Sequence, residues 1–361
     1  MIGIAVVGTG FGQKVHIPAF AAHHKTEIRA IYHRDIQKAQ AIAVANNIPH
    51  ASDNLTEILA LPEVEAVSVS TPPFLHYQMG KQVLEAGKHL LLEKPVSLNV
   101  NEAQELYHIA KTKNLIATVD FEFRFVPAWQ YFHQLLNTNY VGNIRLIKID
   151  WLGSSRADIS RPHNWYSRKD QGGGALGSLG SHAFDYIHWL FGSVSRLNAY
   201  LSTSISQRID PTTGELKIVN TDDNCLISLE LANGTPCQIA ISAVVYANRT
   251  HGIEVYGDKG TLILASEEQK DYIHGFKIWG SLGGTFTEIE IPKHLLFPQH
   301  YNDGRICAFL RVVDQWVTGI ENKQEIIPSL KAGIYSQLLM DLSYKSNDLR
   351  MWVDVPNSGT L

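Results

Sequence analysis

Cysteine is scarce in this chain: Cys225, Cys237 and Cys307 form an odd set with no CxxC spacing. Such a set speaks against a disulfide framework or a zinc knuckle, and buried free thiols are the expectation. Positive charge is not in excess either. With 31 basic against 35 acidic residues the net charge is -4, which supplies no basic field for a polyphosphate backbone, so nucleic acid is not the expected partner. No apolar run approaches the roughly 18 to 20 residues of a membrane helix, so no membrane partner is expected. The opening MIGIAVVGTG lacks the basic region and cleavage pattern of a secretory signal. His23 and His24 are adjacent and cannot share a helical face, no other spacing points to ligands, and no metal is expected. A reducing cytoplasm fits these absences.

What is present suffices for two domains in 361 residues. Short apolar runs alternate with helical stretches at first. Residues 2–7, 28–32, 64–70, 89–92 and 115–119 read as strands. Helices are expected over residues 15–23, from an Asp35 cap to about Asn46, over 75–86, and from Asn99, with Glu102 three residues on, to Lys113. That alternation predicts a doubly wound parallel sheet over residues 1–121. Val126-Pro127 marks a change. One amphipathic helix follows, and then strands succeed one another: 144–151, 197–204, a hairpin of 225–231 and 237–245 about Asn233-Gly234, another about residues 257–260, and a third from 276–279 and 286–291. Residues 122–361 are therefore expected to form an α+β domain with a large, mostly antiparallel open sheet, closed by helices at 305–318 and 330–343. A sheet with one uncovered face predicts a homodimer or homotetramer.

Gly8-Thr9-Gly10-Phe11-Gly12 follows the first strand and opens a helix. Glycines there let backbone approach a pyrophosphate, and the helix N-terminus supplies oriented N–H groups, which is what a dinucleotide needs. The match is imperfect, because the third small residue belongs at Gln13 and Gly12 comes one place early. The second strand ends Tyr32-His33-Arg34-Asp35, with no acid at the position that binds a ribose 2′-hydroxyl. Arg34 there favours a 2′-phosphate, hence NADP, with NAD as the alternative. Thr71-Pro72-Pro73 with His76, and Glu93-Lys94-Pro95, follow later strands at the edge where ligands bind open α/β sheets. From there Lys94 can reach a nicotinamide and a carbonyl stacked on it. Further on, Gly172-Gly173-Gly174 leads into a helix on which Ser178, His182, Asp185 and Trp189 share one face. Trp165, Tyr166 and Arg168 precede those glycines and are expected to line the cleft between the domains, Trp165 against the cofactor.

Together GTGFG, TPPFLH, GKHLLLEKP, FEFRFVP, GGGALGSLGSHAFD and VYGDKGTL, in this order over nearly the whole chain, resemble the glucose–fructose oxidoreductase / inositol dehydrogenase / MocA family. The resemblance implies a nicotinamide-dependent enzyme acting on CH–OH groups of sugars, polyols or related small molecules. It implies catalytic roles for Lys94 and His182. Many dehydrogenases of the family carry an aspartate four residues before that histidine. This chain has Ser178, which can hydrogen-bond a substrate but cannot be a carboxylate base, while Asp185 remains on the same face. Rival readings are redox-assisted glycoside cleavage, reduction of a non-sugar carbonyl or a tetrapyrrole, and non-catalytic dinucleotide sensing.

Overall fold

A computed structural model describes residues 1–247, 249, 251–268 and 271–356. The chain divides into two units, Met1–Glu122 with Tyr301–Gln337, and Phe123–His300 with Leu338–Leu361.

In the first unit β1 (Ile2–Val7), β2 (Thr26–Tyr32), β3 (His50–Ser52), β4 (Ala66–Val69), β5 (His89–Leu92) and β6 (Ala117–Val119) form one parallel sheet in the order β3-β2-β1-β4-β5-β6. That is the order of a dinucleotide-binding doubly wound fold, with its crevice beside the carboxyl ends of β1 and β4. The strands are apolar on both faces because helices cover both; Ile4 to Val7, Leu90 to Leu92 and Val119 are wholly buried. The helices are α1 (Ile17–Ala22), α2 (Ile36–Ala45), α3 (Leu55–Ala60), α4 (His76–Glu85) and α5 (Val100–Thr112). Caps set their starts. Asp35 accepts from the amides of Gln37 and Lys38. Asn99 accepts from the Glu102 amide, and Glu102 reaches back to the Leu98 amide.

The second unit holds α6 (Pro127–Asn137), β7 (Ile144–Leu152), α7 (Ser181–Phe191), β8 (Val194–Ser202), β9 (Gln207–Ile209), β10 (Leu216–Ile218), β11 (Asn224–Leu231), β12 (Pro236–Ser242), β13 (His251–Gly257), β14 (Thr261–Ser266), β15 (Lys277–Ser281) and β16 (Thr287–Ile289). With β17 (Val353–Asp354) they form a nine-stranded sheet, β16-β15-β14-β13-β7-β12-β11-β8-β17, and β9 and β10 pair separately. The sheet is mixed, because β12 lies parallel to β7. Between those neighbours the chain leaves the sheet, forms α7, adds β8 and β11, and returns in the same direction, which no run of hairpins can do. Along β11 Cys225, Ile227, Leu229 and Leu231 are buried while Leu226 is 53% exposed. All three cysteines are buried and none forms a disulfide.

Two last helices complete the chain, α8 (Gly304–Asn322) and α9 (Leu330–Leu349). Helix α8 belongs to the first unit by its contacts. Phe309 stacks on His16 at 4.1 Å and meets Phe20 edge-on, and the Trp316 indole donates to the Ile116 carbonyl. None of the helices among the described residues is long and apolar enough to cross a membrane.

Candidate active site

At the end of β1 each glycine has a different task. Gly8 has φ +106°, and a Cβ there would stand 2.7 Å from the Ser70 carbonyl oxygen. Gly10 is exposed, and a Cβ would meet nothing within 4 Å. Gly12 is buried, and its Cβ would lie 2.4 Å from Ser70 Oγ. These are the turn, the open approach and the close helix–strand packing that a dinucleotide loop requires. Gly12 thus performs the packing expected of a residue at 13, and Gln13 faces outward. The helix opens here with a wide π turn over Gly12–His16, which changes the helical register. Thr9 is buried and Phe11 half-buried, its ring under the Arg305 guanidinium.

The loop after β4 offers a second sign of fit. Thr71 Oγ1 is buried without a hydrogen-bond partner among the described residues, a state that costs stability unless a ligand supplies one. Pro72 is half-buried and Pro73 buried. His76 differs from expectation: its ring is buried, with Nδ1 2.7 Å from the Pro95 carbonyl and Nε2 2.7 Å from the Thr71 carbonyl. It braces the two loops against each other rather than presenting an edge to a ligand. Burial draws its pKa down, while both carbonyls and the Glu93 charge oppose that. After β5, Glu93 is buried and Lys94 half-buried. After β2, Asp35 is occupied as the α2 cap, the His33 ring accepts from the Asp35 amide, and Arg34 is exposed.

The expected second-domain residues are arranged otherwise than the sequence implied. The triple glycine closes on its own chain. A Cβ on Gly173 would stand 2.3 Å from the Tyr166 carbonyl oxygen, and one on Gly174 2.7 Å from Asp222 Oδ1. Asp222 in turn accepts from the Leu176 amide at 2.6 Å. Ser178 Oγ donates to the Gly174 carbonyl at 2.8 Å and is 2.9 Å from the Tyr166 hydroxyl. Tyr166 is buried beneath the Arg156 guanidinium, 3.7 Å above its ring.

Asp185 is engaged inside the second unit. It is buried, and both carboxylate oxygens are held by Arg124, at 2.9 Å from Nε and 2.6 Å from Nη2. Arg124 is the partner that sequence reading missed. A charge inside the apolar run FEFRFVP was its only signal, since such a charge must find a counter-charge. His182 is 5% exposed, with the Phe123 ring edge-on at 4.9 Å and Trp151 at 6.0 Å. Beyond them His251 stacks on Trp151 at 3.7 Å, and burial lowers its pKa to about 3, so it stays neutral. Trp165 and Arg168 line an open cleft of about 660 Å³ within the second unit, together with His163, Lys217 and Asn220. Elsewhere Asp271, His274 and His300 bring ligand-type atoms within 4.8 Å of one another, a grouping that linear spacing conceals.

The chain is similar to known proteins over nearly its whole length. Residues 2–121 match the family described as an oxidoreductase family with an NAD-binding Rossmann fold, and residues 133–355 match its C-terminal alpha/beta domain. An uncharacterised oxidoreductase of Synechocystis sp. is 51% identical over 356 residues, covering 98% of this chain and 96% of that one. Levoglucosan dehydrogenase of Pseudarthrobacter phenanthrenivorans is 25% identical, covering 98% of each. A solved levoglucosan dehydrogenase in complex with NADH and L-sorbose superposes with a TM-score of 0.88 at 23% identity, over 99% of both chains. The chain belongs to the Gfo/Idh/MocA family of oxidoreductases, in which an NAD-binding Rossmann domain precedes an alpha/beta domain.

Proposed function

We propose that this protein catalyses NAD(P)-dependent hydride transfer at a carbinol or carbonyl carbon of a sugar, polyol or related small molecule. The observation that carries this reading is the carboxyl edge of the first sheet. There an open glycine, a buried Thr71 hydroxyl with no partner among the described residues and a half-buried Lys94 lie at the ends of neighbouring strands. A bound nicotinamide supplies the hydride-transferring carbon. The loop at Gly8 to Gly12 holds the pyrophosphate, Lys94 polarises the substrate oxygen, and His182 exchanges its proton near neutral pH. Ser178 and Asp185 are left with supporting roles, because their polar atoms are engaged within the second unit. A sugar and polyol screen with NADP(H) and NAD(H), read by reduced-nicotinamide absorbance, tests the proposal. His182→Ala is expected to lower kcat and to remove one limb of the pH–rate profile.

The engagement of Ser178 and Asp185 favours one second reading, a dinucleotide sensor, since fewer groups remain for proton transfer. Saturable cofactor binding without turnover across the screen identifies it.

For the cofactor we propose NADP over NAD. Arg34 is exposed beyond β2, and the neighbouring Asp35 is committed to its helix cap. Arg34→Ala is expected to erase most of the preference, roughly 1.5 to 3 kcal/mol or about tenfold to a hundredfold. Equal affinities of the wild type for both cofactors, by titration, overturn this assignment. For assembly we propose a homodimer or homotetramer through the second unit's sheet. Tyr200 and Leu226, cross-strand neighbours on β8 and β11, are 51% and 53% exposed on the face away from the core. A monomeric mass by light scattering at micromolar protein refutes it.

A further inference from the structure

Beside Lys94 the first unit buries three carboxyl groups. Glu93, Asp120 and Glu122 are 8%, 2% and 4% exposed. Glu93 and Asp120 sit side by side, each directly after a paired residue of β5 and β6, Leu92 and Val119. His16, from the π turn behind the glycine loop, reaches the same spot. Its Nε2 is 3.1 Å from Glu93 Oε1 and its Nδ1 2.8 Å from Ser68 Oγ. Atoms of His16, Glu93 and Asp120 all lie within 4.8 Å of one another. Phe309 stacks on the His16 ring, and Phe11 and Phe20 meet it edge-on.

The two ring nitrogens of His16 thus engage Ser68 and Glu93. Asp120 lies against Glu93, and its Oδ1 is buried with no hydrogen-bond partner among the described residues. Two ionised carboxylates so close and so dry repel strongly, as in any acid pair that shares a site. The charged and titratable groups facing the pair are His16 from the π turn, His76 from α4 towards Glu93, Lys94 beyond β5 and Glu122 beyond β6. Burial, then the Glu93 and Glu122 charges, lift Asp120 well above its ordinary value, with Lys94 opposing. Burial pushes Glu93 up too, but the His16 bond and charge, Asp120 and Lys94 outweigh it and bring Glu93 to about 2.

We propose that Asp120 is held as a neutral carboxylic acid hydrogen-bonded to an ionised Glu93, so that the pair presents Lys94 with one negative charge instead of two. Asp120 is then a positioning residue. It sets how much negative charge stands beside the Lys94 ammonium. Its importance for turnover rests on the hydride-transfer reading, but the protonation state does not.

The test uses the full chain without cofactor or substrate. The pH dependence of Lys94 modification by trinitrobenzenesulfonate, followed on its peptide by mass spectrometry, is compared between wild type and Asp120→Asn. A neutral side chain replaces a neutral one, so the midpoint is expected to move by less than about 0.3 pH units. An ionised Asp120 instead predicts a fall of about 1 to 3 units when its charge is removed, and that result overturns the proposal. The infrared difference between the two proteins near neutral pH must also show a protonated-carboxyl band belonging to the wild type; its absence is equally decisive against it. Asp120→Leu, which needs no hydrogen-bond partner, carries the same comparisons where the amide variant does not fold. Because neither readout involves nicotinamide, a protein that proves to be a sensor leaves both measurements valid.

Discussion

Lys94→Ala is expected to lower kcat by about 10²- to 10⁴-fold, the usual worth of a positioned acid–base group, while cofactor affinity changes little. The two effects separate because different parts of the first unit carry them. Pyrophosphate binding belongs to the backbone at Gly8 to Gly12 and the helix behind it, neither of which the substitution touches. Lys94 lies after β5, half-buried where its neighbours Glu93 and Pro95 are buried, so its side chain is the outward group of that segment. Lys94→Arg retains the charge but replaces a compact ammonium with a planar fork that does not lose its proton, and it is expected to recover only a small part of the rate. Steady-state kinetics with an accepted substrate, paired with a fluorescence titration of the reduced cofactor, makes the measurement. Near-normal turnover in both Lys94→Ala and His182→Ala removes the catalytic assignment.

Arg124→Met is expected to destabilise the second unit by about 3 to 5 kcal/mol, because it strands the buried Asp185 carboxylate. The guanidinium holds both carboxylate oxygens, and the two side chains are 8% and 2% exposed. Removing both charges is a different matter. Arg124→Met with Asp185→Leu is expected to regain most of the loss, since an apolar pair leaves nothing unpaired. The deficit of the single variant depends on pH. Burial already lifts the Asp185 carboxyl above its ordinary value against the pull of Arg124, and loss of Arg124 lifts it further. A carboxyl with a raised folded-state pKa binds its proton more tightly folded than unfolded. Stability is therefore full at low pH and falls as pH rises past the unfolded value of about 3.9. Chemical denaturation of wild type and variant at about pH 4 and about pH 8 is expected to show the larger gap at the higher pH. An equal gap at both places the carboxyl in a solvated setting and refutes the argument.

Local signals made the first unit legible. Its strands are apolar runs of sheet length, and Asp35 and Asn99 cap helices where capping residues were read. The omissions are short or distant. β3 and α3 span three and six residues, too few to show a period, and the β9–β10 hairpin is equally brief. The parallel pairing of β12 with β7 joins strands about ninety residues apart, and alternation of side chains reads the same for either direction. The helical-face argument groups Ser178, His182 and Asp185 by spacing alone, whereas the chain makes a wide π turn over Leu176–Gly180 that changes the helical register. Spacing was silent on what else touches each, because Arg124 lies 61 residues before Asp185. The bond from Ser178 to the Gly174 carbonyl, four residues back, was within reach, since serines in helices often bond in that way.

The return of Tyr301–Gln337 to the first unit has a consequence for how the protein is made. The glycine loop and all six parallel strands leave the ribosome early, but the helix that seats Phe309 against His16 follows nearly 200 residues later. At about 5 to 20 residues per second, that is a wait of roughly 10 to 40 seconds. During it the nascent dinucleotide domain shows the apolar patch that α8 will cover. The part synthesised first is thus completed last, and a fragment cut after residue 122 lacks the helix that closes its own core.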